Sequence, residues 1–185
     1  MLESLRRSIG MQVARFHFRA SQDEVISFSH SISTSNRVLV IMPLGQSTEE
    51  GQSHVLTFLR EHFYEPGITV IAPAGGTPVE RVLPRCRVLL VGPGDVNRFF
   101  LPQRSFLTRV AERNYDLALD LNLDFMIPSA YICKESNARV RTGFSALHAD
   151  TFFNLQVRLE PASRREHAYD RLVQCLEMFF RAEEV

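Results

Sequence analysis

Three aspartates spaced by four residues, Asp116, Asp120 and Asp124, run through the segment DLALDLNLD. Carboxylates in such a pattern can hold a cation or take a proton from a hydroxyl. On an extended strand Asp116 and Asp120 share a face but stand roughly 13 Å apart, too far to act as a pair. Asp120 and Asp124 come closer if the chain turns after Asn122. A structural reading competes: Asp120 accepts loop amides and Asp124 opens the next helix, in keeping with the cap preference of aspartate.

Two further groupings invite the same question. His148 and Asp150 in LHAD form a candidate acid–base pair, yet no nucleophile at a fixed spacing accompanies them, which favours a polar turn. The loop PLGQSTEEGQ brings Ser47, Thr48, Glu49 and Gln52 together. It lacks both GxGxxG and a P-loop lysine, so no nucleotide cofactor is expected, and Ser47 or Thr48 reads as a helix cap. The remaining histidines make no HxxxH or HExxH pattern, and no metal is expected.

These residues need elements to position them, and hydrophobic periodicity supplies an order. Two short helices are expected in residues 1–36. Leu2, Leu5, Ile9, Val13 and Phe16 mark a face of the first, and Ser21 with Glu24 suggests a capping box ahead of Val25, Phe28 and Ile32. The apolar run RVLVIMP then reads as a buried parallel strand. Further strands are expected at residues 68–73, 86–92, 115–122 and 138–144. Helices between them carry Val55, Leu59 and Phe63, then Phe106 and Val110, then Met126, Ala130 and Cys133. Alternating strands and helices predict an α/β, Rossmann-like, doubly wound and mostly parallel sheet. A last helix, with Ser163 and Glu166 as its capping box, carries Ala168, Leu172, Leu176 and Phe179. In an open parallel sheet, ligands sit beyond the carboxyl ends of the strands. That rule selects Ser47, Thr48, Glu49, Gln52, Asp120, Asn122, Asp124 and His148 as the candidate binding edge.

The 185 residues fit one domain, with an extension over 1–36, a sheet domain over 37–160 and a closing helix over 161–185. Twenty-one basic and 21 acidic side chains cancel, which gives no long-range attraction to nucleic acid. Three scattered cysteines, Cys86, Cys133 and Cys175, fit reduced thiols and a cytoplasmic location. No apolar run is long enough to span a membrane. The first helix mixes Arg6, Arg7, Arg15 and Arg19 with its apolar face. It can touch a membrane surface weakly, enter a partner's groove, or simply pack on the sheet or the last helix.

Read in order, the segments resemble the N-terminal domain of glycosyltransferase family nine, the ADP-heptose:lipopolysaccharide heptosyltransferases. RVLVIMPLG, with the helix ending TFLREHF, is similar to the family's first strand, glycine-containing loop and helix. GITVIAPAGGTPVERVLPRCRVLLVG is similar to its second and third strands. FLTRVAERNYDLALDLNLDFMIPSAYICKESNARVRTGF resembles a helix, a "YD-apolar-apolar-Asp" strand, another helix and an "R-x-G-F" strand, and HADTFFNLQV closes the domain. The match spans roughly residues 37–159 and implies half of a GT-B fold.

Two departures shape the functional expectation. The resemblance implies a second, donor-binding domain and catalysis in the cleft between the two, whereas this chain ends one helix later. It also implies a general-base aspartate after the loop glycine, where Gln52 follows Gly51 here. An amide side chain accepts no proton at working pH. A non-catalytic binding or assembly module, joined to a protein partner or a second copy, is therefore expected. An acceptor-binding subunit of a split glycosyltransferase and a small-ligand sensor are the alternatives.

Overall fold

The computed structural model describes residues 2–21, 23–44, 49–75, 79–159 and 167–182. Six parallel strands form one sheet: β1 (Val38–Ile41), β2 (Ile68–Pro73), β3 (Arg87–Val91), β4 (Leu117–Asp120), β5 (Val140–Phe144) and β6 (Leu155–Val157). Their order is β3-β2-β1-β4-β5-β6. The helices are α1 (Leu2–Phe18), α2 (Phe28–Ser33), α3 (Glu49–His62), α4 (Arg104–Val110), α5 (Ile127–Glu135) and α6 (Ala168–Arg181).

Alternation along each strand divides the core into two layers. Val38 and Val40 of β1, and Leu117 and Leu119 of β4, pack with Ile32, Val55, Leu59, Tyr169 and Leu172 under α2, α3 and α6. Leu39, Ile41 and Ala118 face the other way, toward Ala14, Phe106, Val110, Ala130 and Cys133 under α1, α4 and α5. Strands apolar on both faces must be covered on both faces, which is why the central strands read as unbroken hydrophobic runs.

The linker between α1 and α2 is held by charge. Asp23 pairs with Lys134 at 2.8 Å and also with Arg141; both cations are almost completely buried. Burial works to raise the Asp23 carboxyl, but hydrogen bonds and charges from Lys134 and Arg141 outweigh it and hold the group below its usual value. Arg141 also donates to the Phe152 and Ala138 carbonyls, tying the linker to the start of β5.

Several expectations change. Ser21 and Glu24 begin no helix: Ser21 donates its N–H to Phe18 O, finishing the end of α1, and α2 starts at Phe28 after Ser27. The apolar face of α1 does not pack on the sheet or on α6. Leu2, Leu5, Ile9, Val13 and Phe16 are exposed, while Gly10, Ala14 and Phe18 face inward. A small-residue face allows close approach to the layer below, and proximity decided the orientation over hydrophobicity. β6, three residues long, was not foreseen as a strand; it pairs with β5 through Thr142↔Leu155 and Phe144↔Val157. Ser163 and Glu166 lie outside the described residues.

Candidate functional site at the carboxyl edge

In this strand order the chain leaves β1 and β4 in opposite directions, so the space beyond their carboxyl ends is the topological switch point. Ile41 and Asp120 are paired there, and Leu121 donates its N–H to Ile41 O at 2.9 Å.

Asp120 is 3% exposed and points to the α5 side, in step with Ala118. Its Oδ1 accepts the Asn122 backbone N–H at 3.0 Å and the Asn122 Nδ2–H at 2.6 Å. The Asn122 Oδ1 in turn accepts the Leu44 N–H at 2.8 Å, across from β4 to the exit of β1. Burial raises the Asp120 carboxyl to about 6, against the opposing pull of the Asn122 bonds. A carboxyl spent on its neighbour in this way fixes the geometry of the two strand exits. Asp124 is exposed, whereas Asp120 is buried. Asp116 is an N-terminal anchor: its Oδ2 accepts the N–H groups of Asn36 and Arg37 just before β1, both at 3.0 Å.

On the α3 and α6 side of the switch point a residue of α6 packs against the strand exit. Tyr169 of α6 is completely buried and donates its hydroxyl to Leu121 O at 3.0 Å. The Cδ2 edge of its ring lies against Gly51 in the first turn of α3, where a Cβ would collide with it. Gln52, the next residue, is buried. The packing of α6 is secured by Asp170, which meets His54 of α3 at 2.8 Å and His167 at 3.3 Å. The bond from His54 is the main reason the Asp170 carboxyl is held low.

Of the expected binding edge, Asp120 and Asn122 are joined, and Gln52 is enclosed nearby. Ser47 and Thr48 lie outside the described residues, as does the Glu49 side chain. His148 is elsewhere: half-buried, with φ 69°, it precedes a short turn at Ala149–Thr151 and faces a cavity beside α1. Asp150 is exposed, and LHAD is the polar turn its composition favoured. The sequence reading missed Tyr169. Its one signal was Gly51, since a glycine inside a helix marks a close approach. Among the described residues no group of three His, Cys, Asp or Glu can hold a metal, and no helix is long and apolar enough to cross a membrane.

The strand order and the switch-point crevice define an open, doubly wound α/β domain of Rossmann type. The chain is similar to the solved structure of the glycosyl transferase family 9 from Veillonella parvula DSM 2008, with a TM-score of 0.54 and 19% identity. The likeness covers 85% of this chain and 43% of that one, so the chain spans less than half of the protein it resembles. At such identity the likeness is one of fold, and the fold is glycosyltransferase-like. No family model matches the chain, and a search of curated proteins finds no match.

Proposed function

We propose that this chain is a cytoplasmic, non-catalytic binding or assembly module built on a glycosyltransferase-like fold. The observation that carries the reading is Tyr169, whose buried ring meets Gly51 at the start of α3 and whose hydroxyl donates to Leu121 O just beyond β4. Ligands of open α/β sheets sit in the crevice at the switch point. A fully buried, hydrogen-bonded ring takes up space there on the α3 and α6 side of the strand ends. Chemistry agrees with shape: Asp120 Oδ1 is engaged by Asn122, and Gln52 cannot act as a base at the position the family resemblance points to.

The assembly face is α1. Five large apolar side chains on one outward surface (Leu2, Leu5, Ile9, Val13 and Phe16) make the kind of patch that marks an interaction site. Covering them with a protein partner or a second copy removes that apolar area from water.

Calorimetric titration of the chain with ADP-heptose and with UDP- and GDP-sugars tests the first part. The expected result is no heat of binding and no release of nucleoside diphosphate; a micromolar donor complex or sugar transfer overturns it. Transfer that appears only with a second polypeptide reassigns the chain as the acceptor-binding subunit of a split glycosyltransferase. For the second part, Leu5→Glu with Phe16→Glu is expected to abolish self-association or partner capture. Loss of binding to anionic vesicles instead would assign the helix to a membrane surface.

A further inference from the structure

We infer that a cavity between α1 and the carboxyl ends of β4 and β5 is a binding site for a small amphiphilic anion, an apolar body carrying one phosphate or carboxylate. This site is separate from the packing of Tyr169 and goes beyond the function proposed above.

The cavity measures about 330 Å³, within the size range of small-molecule sites. Met11, Phe100, Phe125 and Ile127 give it apolar walls, and among the described residues Arg7 and His148 are its lining groups able to carry charge, with no carboxylate beside them. Arg7 lies over the Phe100 ring at 5.3 Å, and a guanidinium placed there can fork onto an oxyanion. Its contact with Glu3, at 3.8 Å, is between largely exposed side chains and competes weakly. An anionic head meets Arg7 and the His148 imidazole, and the apolar remainder meets the aromatic wall.

The cavity is also built rather than incidental. Three non-glycine residues among those described have positive φ, and two of them, Phe100 (63°) and His148 (69°), line it. A left-handed backbone is uncommon for a side chain as bulky as phenylalanine, and such outliers gather at functional sites. Phe100 is held there by Asn97, whose Oδ1 accepts the N–H groups of Phe99 (2.8 Å) and Leu101 (3.1 Å). Gly10 brings α1 directly against the Phe99 carbonyl, and a Cβ would collide with that oxygen. The walls therefore stand in place before any ligand arrives, which lowers the cost of binding.

The test is calorimetry on the full chain with 2-naphthyl phosphate, 2-naphthol and decanoate. The expected result is one-to-one binding of 2-naphthyl phosphate or decanoate, with Kd on the order of 10–100 μM for a ligand of this size. Tighter binding of the aryl phosphate identifies a flat ring as the body, and tighter binding of decanoate an acyl chain. 2-Naphthol, lacking the charge, should bind at least about tenfold more weakly. Arg7→Ala should weaken both anions about tenfold and leave 2-naphthol unchanged, while Ser8→Trp should fill the cavity and abolish binding with the circular dichroism spectrum preserved. The inference is overturned if neither anion binds, or if Arg7→Ala leaves their affinity intact. Neither result depends on whether sugar nucleotides bind.

Discussion

The two sides of the carboxyl edge are finished in opposite ways. Toward α3 and α6, the ring of Tyr169 is pressed against Gly51 and its hydroxyl is bonded to Leu121 O. Toward α1 and α5, a cavity of about 330 Å³ stays open, walled by Phe100, Phe125 and Met11. Both arrangements depend on a helical glycine that permits unusually close approach: Gly51 admits a ring, and Gly10 admits a carbonyl. The same device thus seats a ring on one side and a backbone wall on the other. The difference lies in what arrives. A side chain entering a crevice removes its volume, whereas backbone held against backbone sets two walls at a fixed separation and leaves the space beside them.

Replacing the filling residue is the strongest way to break this contrast. Tyr169→Ala leaves a void lined by strand ends and should cost about 4 kcal/mol in urea unfolding, or roughly 10 °C in melting temperature. If the loss is below about 1 kcal/mol, the ring is not packed as described.

The next effect depends on pH. Asp120 holds its proton up to about 6 in the folded chain, well above its ordinary value of 3.8. An acid whose folded pKa is raised contributes stability in full below the unfolded pKa, and loses it as pH rises through the folded value. The shift corresponds to about 3 kcal/mol. Asp120→Asn cannot titrate, so its stability relative to the parent should rise by about that amount between pH 4 and pH 7. Parallel curves would remove the burial of Asp120 from the account.

On the open side, Gly10→Ala forces α1 away from the Phe99 carbonyl. The expected loss is about 2 kcal/mol, as for other overpacked contacts, together with weaker binding of 2-naphthyl phosphate. Unchanged affinity would show that the α1 wall does not define the cavity. The smallest effect isolates one hydrogen bond. Tyr169→Phe keeps the ring and removes the donor to Leu121 O, at a cost of about 1 kcal/mol.

Five of the six strands and the alternation of helices were legible because parallel, doubly covered strands carry continuous apolar runs, such as VLVI of β1 and the LAL that opens β4. The cap at Asp116 escaped notice because its partners, Asn36 and Arg37, lie about 80 residues away. β6 was too short for periodicity to register, and its strand character comes from pairing with β5. At the candidate site, the local pair Asp120 and Asn122 lay within a single readable segment. Tyr169 did not, since only chain reversal through α6 carries it to Gly51 and Leu121.

The sequence alone determined the layer architecture, because burial on two faces leaves a continuous apolar signature that local composition carries. It also placed Asp120 and Asn122 at the exit of β4. Tertiary structure decided the rest: which face of α1 turns inward, what packs against the strand exits, and where a cavity remains. Those outcomes depend on how closely two distant surfaces can approach. That distance is set by the small residues Gly10, Ala14 and Gly51, whose significance emerges only with the partner in place.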